Sequence, residues 1–159
     1  MWDFHPDVGL IVAGGRHPPS KKVEMSTDYG QTKTSLGDLP EGCNFVSHAC
    51  MIIVYKTTVW VGGGNTASGC YPNGGFIQKT HFLNLVTKQW TPGPDLTVPR
   101  QQFSCSLVTK PSPQIVIVGG RFHTNTWTNS VEIIDLDANT TTAIGKKLNI
   151  VRTRFLKCW

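Results

Sequence analysis

The sequence predicts an all-β chain built from about three repeats of a four-stranded antiparallel unit. Three observations predict it: an apolar run that stops at a glycine pair and recurs, a fixed order of strands and turns after each run, and a composition low in charge. The runs are Leu10-Ile11-Val12-Ala13-Gly14-Gly15, Val59-Trp60-Val61-Gly62-Gly63-Gly64 and Ile115-Val116-Ile117-Val118-Gly119-Gly120. Four or five β-branched or aromatic residues in succession suit a strand buried on both faces and are too few for a helix that buries itself. The glycines allow positive φ and let another backbone pass where a side chain would clash, so each run is expected to end at a crowded, sharply turning corner.

The order after each corner is the same. In the first copy a polar loop leads to Lys22-Val23-Glu24-Met25-Ser26, a turn through Asp28-Tyr29-Gly30, a short Thr-rich piece and Gly37-Asp38-Leu39-Pro40. In the second a longer loop leads to Lys79 through Leu85, a turn at Thr87-Lys88, Trp90 and Gly93-Pro94-Asp95-Leu96. In the third, Ser130 through Leu136, a turn at Asp137-Ala138-Asn139 and Thr140 through Ile144 precede Gly145-Lys146-Lys147-Leu148. Leu39, Leu96 and Leu148 are spaced by 57 and 52 residues, and each introduces an alternating strand, at Phe45–Cys50, Phe103–Val108 and Phe155–Cys158. Four strands per period with turns between them make one antiparallel sheet, a blade. We name its strands a to d, with the glycine pair ending b. Pro or Gly interrupts nearly every dozen residues and no helical stripe stands out, so almost no helix is expected.

Composition narrows the class. The 159 residues include 16 Gly and 10 Pro, with 39% hydrophobic and only 16% charged, which disfavours helical bundles and coiled coils. No apolar stretch approaches 18 residues, so no membrane span is expected. The first residues lack the basic and apolar regions of a secretory signal, so an export signal, if there is one, would lie outside this chain; the compartment stays open. The net charge is +5, with Lys146, Lys147, Arg152, Arg154 and Lys157 close together. That cluster reads as a solvated edge, and no nucleic-acid motif accompanies it.

With the repeat in view, the residues resemble the kelch repeat family. The resemblance rests on the apolar-Gly-Gly signature found three times, on Trp90 in strand d, and on Leu96-Thr97-Val98-Pro99-Arg100-Gln101-Gln102-Phe103 as the connection into strand a. Only the middle copy keeps a Trp in strand d, and none keeps the Tyr of strand c. The resemblance implies a β-propeller whose ring is incomplete in this chain, with blade segments at about 8–38, 39–95 and 96–147 and the start of a further blade at 148–159. On that phase the chain enters just before strand b, holds two blades complete apart from their boundaries, and is expected to be a fragment of a longer propeller.

The five cysteines contain no C-x-x-C, so neither a zinc ribbon nor a closed disulfide framework is legible. Cys50 and Cys105 lie in apolar strand candidates and are expected to be buried free thiols, whereas Cys43 and Cys70 in loops are better placed to pair. Asn139 begins an Asn-Thr-Thr sequon that would matter in a secreted protein. Gly62 through Ala67 fit a loose dinucleotide fingerprint, but Ser68 through Gly74 forbid the helix such a site needs. The five histidines have no metal-ligand spacing, and no cofactor is expected.

What remains is one face. In a four-stranded blade the b–c loops and the d–a connections emerge on the same side. These segments carry Arg16, His17, Arg100, Arg121, His123 and Arg152, with Asn65, Tyr71 and Phe122 nearby. Gly-Gly-Arg-His in the first copy and Gly-Gly-Arg-Phe-His in the third repeat the same chemistry, and arginine beside an aromatic or imidazole suits a carboxylate-bearing partner. The resemblance implies a protein-interaction module that binds an acidic peptide there, as substrate receptors of ubiquitin ligases do. Enzymes of the superfamily, a sialic-acid mutarotase or a copper oxidase, and a secreted structural propeller are the alternatives. The same arginines would serve structure instead if they bonded backbone carbonyls of the next blade.

Overall fold

The computed structural model describes residues 1–44, 46–70, 75–123, 126–145 and 148–149. The described residues form three four-stranded antiparallel sheets and one two-stranded hairpin. The first blade is β1 (Trp2–His5), β2 (Gly9–Arg16), β3 (Pro19–Ser26) and β4 (Thr34–Asp38). The second is β5 (Cys50–Tyr55), β6 (Thr58–Gly62), β7 (Thr80–Asn84) and β8 (Trp90–Pro92). The third is β9 (Ser104–Val108), β10 (Gln114–Val118), β13 (Val131–Asp135) and β14 (Thr140–Ile144), with a small hairpin, β11 (Arg121–His123) and β12 (Thr126–Trp127), between its second and third strands. Among the described residues the helical content is one 3-10 turn at Ser68–Cys70.

Two boundaries differ from expectation. Trp2–His5 pairs along β2, so the first blade begins with its own strand a and three blades are complete rather than two. The middle strand a starts at Cys50 instead of Phe45, which lies outside the described residues. Register explains the shift: Cys50 pairs with Gly62 as Ser104 pairs with Val118, so Ala49, not Phe45, is the counterpart of Phe103. Val46 through Ala49 belong to the connection, where Ser47 exchanges backbone hydrogen bonds with Asn65. His48 there has φ 57, matched by φ 56 at Gln102 in the next connection.

The periodic leucines mark the period for a reason. Leu39 N–H donates to Lys21 O, Leu96 to Gln78 O and Leu148 to Asn129 O, one backbone bond repeated at the same place in each unit. Leu39 and Leu96 are also buried. The c–d turns repeat too: Asn84 Oδ1 accepts from Val86 and Thr87 N–H, and Asp135 Oδ1 from Asp137 and Ala138 N–H, an Asx turn in each case.

The blades stand side by side, with β5 between β1 and β9. One core lies between the first and second blades and joins Ile11, Ala13, Val23 and Leu36 to Met51, Ile53, Val59, Val61 and Leu83. A second joins Ile52, Val54 and Trp60 to Cys105, Ile115, Ile117 and Ile134 across the next junction. The middle blade is therefore buried on both faces, as its unbroken apolar runs require. In the outer blades β2 and β10 are buried on alternate residues only, although their central runs, Leu10–Ala13 and Ile115–Val118, are apolar throughout.

Cys50 and Cys105 are not free thiols. They form a disulfide between the first strands of adjacent blades, Cα atoms 6.1 Å apart, and Cys43 pairs with Cys70 as expected, at 6.0 Å. Strand periodicity could not reveal the former pair, because its members meet across a junction between sheets and not within one.

The glycine corners are crowded as predicted. Gly63 has φ +63, and a Cβ there would sit 2.7 Å from Arg100 O, the atom that accepts from Gly64 N–H. Gly14 repeats this against Val46 O. Gly63→Ala is expected to lower unfolding stability by about 2–4 kcal/mol in urea titration, from strain at positive φ plus displacement of a backbone. Gly145→Ala, which meets open space, should stay within about 0.5 kcal/mol.

Candidate functional site

The b–c loops and d–a connections do emerge on one side. Gln101, in the connection from the second blade to the third, exchanges backbone hydrogen bonds of 2.9 and 2.8 Å with Arg121 at the head of the third b–c segment. Ser47 does the same with Asn65 one blade earlier. Arg16, Asn65 and Arg121 thus occupy one repeated position, each directly after its glycine pair. Arg16 and His17 are exposed at the tip of the β2–β3 hairpin. Arg152 lies outside the described residues; His123 is described as the last residue of β11, its side chain is not.

Arg121 has an unforeseen companion. The β11–β12 hairpin pairs Arg121 with Trp127 and lays the guanidinium over the indole, 5.7 Å from the ring centroid. Trp127 is 39% exposed, a large aromatic held open to solvent. Sequence reasoning passed over it; the signal was an aromatic in a polar segment, Thr124-Asn125-Thr126-Trp127-Thr128, where no core was expected.

Arg100 requires a correction. Its side chain is fully buried, so it offers nothing to a partner in this arrangement. Its guanidinium donates to Gly119 O at 2.8 Å and to Ser130 Oγ at 3.1 Å, and it pairs with Glu132, whose other carboxylate oxygen accepts from Thr97 N–H at 2.8 Å. Burial pulls the Arg100 pKa below its ordinary value while Glu132 pushes it back up. Arginine stays charged at any physiological pH, so this is a buried ion pair backed by further hydrogen bonds from both terminal nitrogens, with the Nε–H lacking an acceptor among the described residues. It fastens the connection into the third blade.

The preceding junction lacks that fastener. Val46 stands where Arg100 stands, while Gly63, Lys79 and His81 stand where Gly119, Ser130 and Glu132 stand. The space that would take the guanidinium is a cavity of about 10 Å³, room for one water, lined by Val46, Gly63, Lys79, His81 and Glu41 among others. His81 Nε2 lies 3.5 Å from Glu41 Oε1 and its ring meets Trp90 edge-on at 6.4 Å. Lys79 pairs with Asp95 at 2.8 Å nearby. The ion-pair geometry favours charge on both partners, but burial opposes it: it lowers the His81 pKa, against the pull of Asp95, and raises that of Glu41. Burial wins because both side chains are largely covered. Among the described residues no three His, Cys, Asp or Glu side chains converge to hold a metal ion.

No family model matches the chain, and no curated protein is significantly similar to it. The solved structure of YjhT is similar in fold, with a TM-score of 0.74 at 10% sequence identity, over 96% of this chain and 52% of that one. The likeness and the three sheets together give an all-β, β-propeller-type fold. The chain spans about half the length of the structure it matches.

Arg100→Ala is expected to destabilise the chain by about 3–5 kcal/mol by stranding the Glu132 carboxylate, and the double variant Arg100→Met, Glu132→Leu to recover much of that loss in denaturant titration. The pKa of His81 is lowered on folding, so the unfolded chain binds the proton more tightly and stability is lost as pH falls below 6.5 toward the lowered value. Glu41, with its pKa raised above 4.5, acts in the opposite sense at lower pH, gaining stability as it protonates. The urea midpoint of His81→Gln should therefore fall less steeply than that of the parent between pH 7 and the onset of Glu41 protonation.

Proposed function

We propose that this chain is a protein-interaction module of the kelch kind, whose b–c rim binds an acidic peptide segment of a partner protein. The observation that carries this reading is the Arg121–Trp127 pair: a cation held over an exposed indole on a hairpin that projects from the blade. Arginine and tryptophan are among the residue types most enriched at binding hot spots. Arg16 at the equivalent position of the first blade, together with His17, extends the same chemistry along the rim. A net charge of +5 favours an acidic partner over a basic one.

Arg100 leaves the proposed contact set, because its guanidinium is already committed to Glu132. The sugar-acid enzyme reading would likewise have to do without Arg100. Docking of a ubiquitin ligase would require regions that lie outside this chain.

A peptide array carrying Asp/Glu-rich segments should show binding that weakens at least tenfold in Arg121→Ala and in Trp127→Ala, and that declines with added salt, while circular dichroism stays unchanged. Binding that survives both substitutions would overturn the assignment of this rim.

A further inference from the structure

The four described cysteines all meet in pairs. Cys43 reaches Cys70 over 27 residues and Cys50 reaches Cys105 over 55, with Cα separations of 6.0 and 6.1 Å, inside the range of about 4.4–6.8 Å that a disulfide spans. Neither pair sits in a C-x-x-C stretch, and among the described residues no group of three His, Cys, Asp or Glu converges around either one. The pairs therefore have the pattern of neither a dithiol catalyst nor a metal site. One bridge ties a d–a connection to a b–c segment, and the other ties the first strands of two blades. Both are structural cross-links, which persist where the surroundings are oxidising: outside the cell or in a secretory lumen, and not in the cytosol.

Asn139 acquires a meaning in that setting. Asn139-Thr140-Thr141 is the chain's single N-glycosylation acceptor sequence. It sits at the turn between β13 and β14, where Asp137, Ala138 and Asn139 are all exposed. The turn does not itself demand asparagine. Four residues after the Asx-turn residue, Lys88 in the second blade holds the place that Asn139 holds in the third, with φ 57 against 54. The Asn139 side-chain amide hydrogen-bonds to no described residue. Because the turn joins strand c to strand d, it emerges on the side opposite the b–c loops and the d–a connections, so a bulky group there leaves the Arg121–Trp127 rim unobstructed.

We infer that this chain matures in an oxidising secretory compartment and carries an N-linked glycan on Asn139. The co-reactant is a lipid-pyrophosphate-linked oligosaccharide. Asn139 Nδ2 forms a bond to the anomeric carbon, the bond from that carbon to the pyrophosphate oxygen breaks, the pyrophosphate leaves with the electron pair, and the amide gives up one proton. Each disulfide forms by passing two electrons and two protons to a disulfide-bearing oxidoreductase of the same compartment. The inference stands apart from peptide binding at the rim, and its readouts are different.

The test is peptide mass spectrometry on the whole gene product, taken from cells of its source organism and alkylated before any reduction. Cys43, Cys50, Cys70 and Cys105 should escape alkylation until a reductant is added. The Asn139 peptide should appear only after peptide N-glycosidase treatment, with Asn139 converted to aspartate. In the same cells Asn139→Gln and Thr141→Ala should each abolish the glycosidase-sensitive shift in gel mobility, whereas Thr141→Ser, which keeps the acceptor sequence, should retain it. An unmodified Asn139 peptide in protein whose cysteines are bridged overturns the glycan. Cysteines open to alkylation in the native protein overturn the compartment and the glycan with it, and a shift that survives Asn139→Gln overturns the assignment to this residue.

Discussion

Both described connections between blades run their backbone through the volume a side chain would need at the end of strand b, and the assembly depends on that volume being empty. At Gly14 and Gly63 the carbonyl of the next connection, Val46 O or Arg100 O, lies where a Cβ would be, and the following glycine N–H holds it. This close approach brings strand a of one blade beside strand a of the next, and hence the sheet faces into contact. Without it Ile11, Val59 and Ile115 would still form strands, but their faces would not meet. Hydrophobic burial supplies most of the driving force here, while the glycines set the spacing over which it acts.

The same position is solved differently in successive connections. In one, a buried arginine satisfies a carbonyl, a hydroxyl and a carboxylate; in the other, valine leaves a space for one water beside His81 and Glu41. A polar fastener of the first kind is rigid and insensitive to physiological pH, because arginine keeps its charge. The second junction depends on apolar packing and on two groups whose protonation burial has shifted toward neutrality. Two junctions of similar shape therefore respond differently to acidity.

Much of the architecture was legible in the sequence, because strand and turn chemistry is local. The glycine pairs, the leucine period and the turn residues carried strand order in all three units, and Cys43 with Cys70 stood out by their loop setting. Legibility failed where two distant segments meet. Cys50 and Cys105 read as apolar because each is apolar in its own strand, and only the adjacency of β5 and β9 makes them partners. Trp2–His5 went unread as a strand because it lacks a glycine pair. Arg100 read as a surface residue because its acceptor, Glu132, sits 32 positions later on another sheet. Trp127 was missed because a two-residue strand has no periodicity to detect.

The two disulfides interlock along the chain, Cys50 lying inside the Cys43–Cys70 loop and Cys105 outside it. Under tension applied at the two ends, load would travel through the few residues from Cys43 to Cys50, across the bridge and onward from Cys105. Everything from Met51 to Ser104, the middle blade apart from Cys50, would bear none of it. The element flanked by both neighbours is also the one shielded from mechanical extension, and a reductant would remove that shielding without altering a single strand pairing.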